Sequence, residues 1–354
     1  MVKRRRLFLC LTWAAALALG MGALLSTARE SGLERRTLSP RPTGGSVEEW
    51  EAFLVDHLPG RQLFVTAERY LTVLTGRGMT LAAWPTLDGG AVESPLTFRQ
   101  EALEKRLTRL TTLCRGHEAV LLPVPQAGTY AALPPWQRAL YDDAPFFASL
   151  AGRTDATLAD VRAAWRGQTV FYRTDHHWNQ TGAYLAYQAA AAALGIAPRP
   201  LSDYRLLEMG SLAGSTRAQT ALAGMAPDPL TVYEPPCRVR LTVPGEETRD
   251  SLFFEEYRDT EDAYRVFTGP NRGETWIENL DADTDETLIV FKDSFANSLV
   301  GFLTPHFRRI VMVDLRYELQ GAGKVLTDWP QAKCLLVYSL DSLQNDTSLL
   351  RFAP

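Results

Sequence analysis

Asp175, His176, His177 and Trp178 stand consecutively near the middle of the chain, and they bring together two of its five histidines. Histidine is the side chain best suited to move protons near neutral pH. A carboxylate two residues away can fix its tautomer and stabilise its charged form. In extended backbone, residues 175 and 177 point to one face and 176 to the other. His176 is therefore expected to turn away from a cleft that Asp175 and His177 share. The missing component is a nucleophile, which Ser294 in Asp293-Ser294-Phe295 offers more than a hundred residues later. Two readings of each residue are open from local sequence. Ser294 either presents its hydroxyl for acyl transfer, with helix N–H groups behind it, or caps the helix that follows. His177 is either a general base or a hydrogen-bonded histidine at the rim of the core. Trp178 reads as core or as a pocket wall able to stack on a sugar ring, with Tyr172 beside it.

The elements around these residues point to an α/β fold. Thr97 to Cys114 has Leu103, Leu107, Leu110 and Leu113 on one helical face. Ala119–Val124, 286–291, 309–313 and 332–338 are short apolar runs, the pattern of buried parallel strands. Helices are expected over 61–74, 136–150, 181–194 and 295–303, and a short strand over 169–172. The tetrad falls in the loop before the alanine-rich helix, and Ser294 in a strand-to-helix turn. Alternating strands and helices argue for a mainly parallel sheet. The stretch 198–285 reads as a mixed β insertion carrying Gly210 and Gly214.

The N-terminus reads as an export segment. Lys3-Arg4-Arg5-Arg6 precedes an apolar run from Leu7 to Leu25. The run is long enough to span a bilayer, while Ser26-Thr27-Ala28 offers a cleavage site. The alternatives are an uncleaved anchor with the body outside the cell membrane and a cleaved signal with a secreted body. The expected division is 1–28 signal or anchor, 29–46 linker and 47–354 a single large domain. The net charge of −4 gives no footprint for nucleic acid. Cys114, Cys237 and Cys334 allow at most one disulfide in the body and lack metal-ligand spacing. No metal or cofactor is expected.

Thr174-Asp-His-His-Trp178 followed by Gly182-Ala-Tyr184 resembles the signature of the bacterial DHHW proteins, which are similar to the alginate O-acetyltransferase-like group of SGNH hydrolase-fold proteins. That group has Asp-x-His-Trp upstream and Gly-Asp-Ser-Phe downstream, an order permuted relative to ordinary SGNH esterases. The resemblance runs loosely from about Trp50 to the C-terminus and takes in Asp56-His57-Leu-Pro-Gly-Arg61 and Leu122-Pro-Val-Pro125. It implies an SGNH-hydrolase-like three-layer sandwich. It further implies Ser294 as nucleophile, His177 as general base, Asp175 as the orienting acid, and acetyl transfer on an extracellular polysaccharide with a membrane acyl-donor partner. Trp178, Tyr172 and Asn297 are the candidate substrate-binding residues. Lys292 departs from the pattern by standing where the wider esterase group has glycine, which puts the oxyanion geometry in question; Gly210, Gly214 and Asn297 are the candidate donors. Two other readings stay open. One is a non-catalytic glycan- or partner-binding surface protein on the same fold. The other is a DHH-type manganese phosphoesterase, whose further spaced aspartates have no counterpart in this sequence.

Overall fold

Four apolar runs can be buried on both faces at once only if helices cover both sides of the sheet they form, and the computed structural model has this arrangement. It describes residues 2–31, 34, 36–222, 224–318 and 322–351. Residues 32, 33 and 35 of the expected linker, residues 352–354 of the expected domain and the side chains of the basic cluster before Leu7 lie outside the described set. The main helices are α1 (Val2–Leu25), α2 (Arg61–Leu74), α3 (Gln100–Leu113), α4 (Ala144–Arg153), α5 (Gln180–Ala193) and α6 (Ala296–Leu303). The central sheet has seven strands: β1 (Ala119–Val124), β2 (Thr157–Leu158), β3 (Val239–Thr242), β4 (Glu274–Asn279), β5 (Thr287–Lys292), β6 (Arg309–Val313) and β7 (Lys333–Ser339). Their order is β2-β1-β7-β5-β6-β4-β3. The first five are mutually parallel, and β4 runs antiparallel to both β6 and β3.

Strand alternation divides the core in two. Val120, Leu122, Leu288, Val290, Leu335 and Val337 face one way and pack with α5 and α6. Leu121, Ile289, Phe291, Val311, Leu336 and Tyr338 face the other way, onto Leu103, Leu107 and Leu110 of α3 and Phe146, Phe147 and Leu150 of α4. The result is a three-layer α/β/α sandwich. Each fully buried leucine of α3 contributes about 1.5–3 kcal/mol. Asn179 starts α5 by accepting the Gly182 N–H at 3.0 Å. Gly182 itself has no room for a side chain, because a Cβ there would overlap the Val170 carbonyl.

Two expectations are revised by packing. The helix expected over 136–150 is broken into Pro135–Arg138 and α4. Between them the buried Asp143 carboxylate accepts from Gln126 Nε2 and Thr129 Oγ1, both at 2.9 Å, and a continuous helix would not direct it there. The strand expected over 169–172 is reduced to one bridge, Phe171 with Trp178. The stretch 198–285 also does two jobs. Arg205–Leu212 and Asp228–Glu234 form a hairpin outside the sheet, whereas β3 and β4 extend the sheet itself.

Candidate active site

Ser294 lies two residues past the end of β5, at the carboxyl edge of the parallel strands. The loop is pinned to the next strand: the Asp293 N–H donates to Val337 O at 3.0 Å, and Asp293 Oδ2 accepts the Ser339 N–H at 2.7 Å. Asp293 Oδ1 takes the Phe295 N–H at 3.1 Å. Phe295, not Ser294, occupies the N-cap position of α6, and that helix has no side-chain cap. The serine hydroxyl is therefore free of the capping duty that local sequence left open.

The segment 171–178 forms a tight loop closed by the Phe171–Trp178 bridge and by the Tyr172 N–H on His177 O at 3.2 Å. Asp175 and His177 share one side of it. Ser294 Oγ donates to His177 Nε2 at 2.7 Å, and His177 Nδ1 donates to Asp175 Oδ1 at 2.6 Å. Asp175 also accepts the His177 N–H at 3.0 Å on Oδ1 and the Ser215 N–H at 2.8 Å on Oδ2. Ser294, His177 and Asp175 thus form one hydrogen-bonded chain, with the carboxylate and imidazole buried and the serine half-exposed.

Electrostatics follow from that burial. Desolvation pushes the His177 pKa down from 6.5 to about 4, and the neighbouring His176 pushes the same way against the opposing pull of Asp175. His177 is neutral at pH 7 and able to take a proton. Burial would raise the Asp175 pKa, but the two imidazoles and the N–H donors of His177 and Ser215 outweigh it and hold the carboxyl well below its usual range. The Tyr264 ring stacks flat on His177, with centroids 3.7 Å apart and planes 7° from parallel, and so fixes the imidazole plane.

Residues from the 198–285 stretch hold the loop in place. Asp228 Oδ2 accepts the Thr174 N–H at 2.8 Å and the Thr174 hydroxyl at 2.7 Å, while Asp228 Oδ1 pairs with Arg173 Nε at 3.1 Å. Gly214 lies flush against Asp175, where any Cβ would overlap the aspartate. Asp228, Ser215 and Tyr264 escaped sequence reading because each is a common residue type in a loop without a motif. Their roles come from tertiary proximity alone.

The other candidates fall elsewhere. Trp178 has no exposed surface, and its Nε1 donates to Ser298 Oγ at 2.7 Å inside the core. It supports the loop from beneath and offers no face to a sugar. Tyr172 is 8% exposed and lines a cavity of about 970 Å³ that reaches Asp175 and His176. Asn297 is buried and committed: Oδ1 accepts from Lys292 Nζ at 2.7 Å, and Nδ2 donates to Asn271 Oδ1 at 3.3 Å. Gly210 packs on Asp259, and the Gly214 N–H donates to Thr174 Oγ1 at 3.3 Å. The Gly214 N–H and one Asn297 Nδ2 hydrogen are thus engaged with partners other than Ser294. His176 does not turn away. The loop bends rather than extending, so its ring centroid lies 3.9 Å from that of His177 and its Nδ1 lies 2.6 Å from Ser215 Oγ.

Lys292 is the last residue of β5 and has no left-handed backbone. Its side chain turns into a buried polar cluster with Asn297, Asn271 at 3.3 Å and Asp314 at 3.7 Å. Desolvation lowers its pKa to about 8 against the pull of Asp314. Asp314 also pairs bidentately with Arg316, at 2.9 and 2.6 Å. Arg316 lines a second cavity, of about 200 Å³, together with Ser294 and His176. His176, Phe171 and Tyr141 line both cavities, so the two meet beside the serine. Asp175, His176 and His177 also bring three possible metal-ligand atoms within 4.8 Å of one another. However, both oxygens of Asp175 already accept N–H groups, His177 Nδ1 donates to Asp175 and His177 Nε2 accepts from Ser294, which is poor provision for an ion.

Residues 154–313 match the family model described as DHHW protein. Among solved structures the chain is similar to a DHHW family protein from Eubacterium siraeum DSM 15702, at 21% identity over 73% of this chain and 90% of that one, with a TM-score of 0.65. It is also similar to PatB1 of Bacillus cereus, at 21% identity over 77% of this chain and 99% of that one, with a TM-score of 0.62. A structure of the same PatB1 with a sulfonyl adduct matches at 21% identity, 76% and 99% coverage and a TM-score of 0.60. No curated protein matches the chain in sequence. The resemblance read from Thr174–Trp178 and Gly182–Tyr184 is thereby shown over the matched segment, and the SGNH-hydrolase-like fold over most of the chain.

Proposed function

We propose that this protein is an exported serine acyl-transfer enzyme that moves or removes O-acetyl groups on a cell-surface or extracellular polysaccharide. The observation that carries the reading is the continuous chain from Ser294 Oγ through His177 to Asp175, opening on a cavity. In this mechanism His177 Nε2 takes the serine proton as Oγ attacks the acetyl carbonyl. The bond to the leaving oxygen then breaks, and the proton returns to that oxygen from the imidazolium. Acetyl-Ser294 remains, and a sugar hydroxyl or water, deprotonated by His177, releases the acetyl group. Asp175 keeps the Nδ1–H tautomer and steadies the transient imidazolium. We assign the oxyanion to the Ser294 N–H, with the fixed guanidinium of Arg316 adding positive charge at the same cavity. The Lys292 side chain is committed to its own cluster with Asn297 and Asp314. The apolar α1 supports membrane attachment or export, with the polysaccharide and any membrane acyl donor as partners outside the cell.

The direct test is an arylsulfonyl fluoride, the class of reagent able to leave a sulfonyl group on an activated serine. The full chain is expected to gain one sulfonyl group, mapped by peptide mass to Ser294, at a rate abolished by His177→Ala. Labelling elsewhere, or none, would remove the nucleophile from the proposal.

The pH dependence follows from burial of His177. Its folded pKa of about 4 lies below the ordinary 6.5, so the base is neutral across the whole range above about 4. Ester hydrolysis is expected to fall to half only near that acid value and to stay level through neutrality. Between the two values the unfolded chain binds the extra proton, so His177 also contributes stability that is complete above 6.5 and lost as pH falls through about 4. A kinetic midpoint near 6.5 would mean that the titrating base is a solvated histidine, not His177.

A further inference from the structure

Helix α2 presents its apolar side to solvent. Leu63, Phe64, Tyr70, Leu71 and Leu74 are between 44% and 79% exposed. With Ala67 they fall within an arc of about 120° at 100° per residue. The opposite arc carries Thr66, Arg69 and Thr72 and faces the body: Thr72 is the helix's buried residue, and Thr66 Oγ1 reaches the Ala221 carbonyl. An ordinary surface helix such as α3 does the reverse and buries Leu103, Leu107 and Leu110 at 1% exposure or less.

The position of α2 indicates what covers this face. Helix α1 contains the one span among the described residues long and apolar enough to cross a membrane, and its last turns meet the chain at Pro59, two residues before α2 begins. Pro59 lies so close to Gly22 that a Cβ there would overlap it. His57 bridges Ser26 Oγ and Ser39 O, each at 3.0 Å, directly after α1 ends. Asp56 holds the following strap through the Ser39 N–H at 2.9 Å and Arg36, and Arg61 is paired with Glu34. The Asp56–Arg61 segment, so far without a role, thus clamps the exit of α1 to the first turn of α2.

We infer that the exposed stripe of α2 lies in the interface of a lipid bilayer, a second attachment beside α1 that sets how the catalytic domain sits on the membrane. This rests on the reading of α1 as a membrane anchor. An apolar helical face fixed at the point where the chain leaves the hydrocarbon is buried by headgroups and acyl chains without any further partner. A second copy or a membrane protein would have to reach the same level to cover it.

The test uses the full chain in phosphatidylcholine–phosphatidylglycerol vesicles, with Cys10→Ser and Cys237→Ser removing the accessible thiols. A polarity-sensitive fluorophore is attached in turn at Leu71→Cys, at Leu17→Cys in α1 and at Glu101→Cys on the solvent side of α3. Brominated lipids are expected to quench the Leu71 probe as they quench the Leu17 probe and to leave the Glu101 probe bright. Quenching at Leu17 with a bright, water-exposed Leu71 probe overturns the inference and leaves the anchor standing. A Leu71 probe that is shielded but escapes bromine, and becomes exposed when the protein is diluted among more vesicles, assigns the stripe to a second copy and also overturns it. No quenching at either site removes the anchor reading and this inference together.

Discussion

Ser294→Ala is expected to lower kcat/KM for an activated acetyl ester by about 10⁴-fold or more. Among the described residues the hydroxyl is the only group bonded to His177 Nε2, so no described neighbour inherits its role. The substitution should be structurally mild. Ser294 caps no helix and is half-exposed, and Asp293 rather than the serine pins the loop to β7. His177 keeps its bond to Asp175 and its stack on Tyr264, and water can enter to satisfy Nε2. A loss of about 1 kcal/mol corresponds to a shift in Tm of about 1–2 °C at this size. Thermal melts and steady-state hydrolysis on the same preparations check both halves. Activity that survives in a folded variant would mean the reaction does not pass through Ser294.

The residues that could be read ahead are those whose neighbours in sequence are also their neighbours in space. Asp175 and His177 are two apart and bonded to each other, and β5 runs straight into Ser294. The parallel strands were legible because a strand covered on both faces must be apolar throughout, and 287–291 and 334–338 are close to that pattern. The supports were not legible. Asp228 lies 54 residues from Thr174, and Tyr264 is 30 residues from Ser294. An aspartate or a tyrosine in a loop is too common to mark. Orientation was the other limit. Trp178 and Lys292 stand out in the sequence, but which way each points depends on Ser298 and Asp314, which lie beyond any local pattern. His176 shows the same limit, since the alternation of extended backbone does not survive in a loop that bends. The outer strands β4 and β3 at the antiparallel end of the sheet read from sequence as part of an insertion, because their alternating pattern is that of a half-covered surface.

Asp175→Asn is the substitution expected to separate geometry from charge, with kcat reduced by about 10³–10⁴-fold. Asp175 accepts three N–H groups on two oxygens: the backbone and ring of His177 on Oδ1, and Ser215 on Oδ2. An asparagine has one oxygen, so its amide NH₂ must face one of these donors. Facing Ser215, it leaves a buried N–H unpaired, a cost of about 1–3 kcal/mol in stability. Facing His177, it drives the ring into the Nε2–H tautomer, which cannot accept the proton of Ser294. In either orientation the negative charge that steadies the imidazolium is gone. Acetylation should therefore fail while binding persists, and KM is expected to change far less than kcat. The sulfonyl reaction at Ser294 should slow with kcat. A variant that keeps its kcat would show that the carboxylate only shapes the loop, and the triad would reduce to a serine–histidine pair.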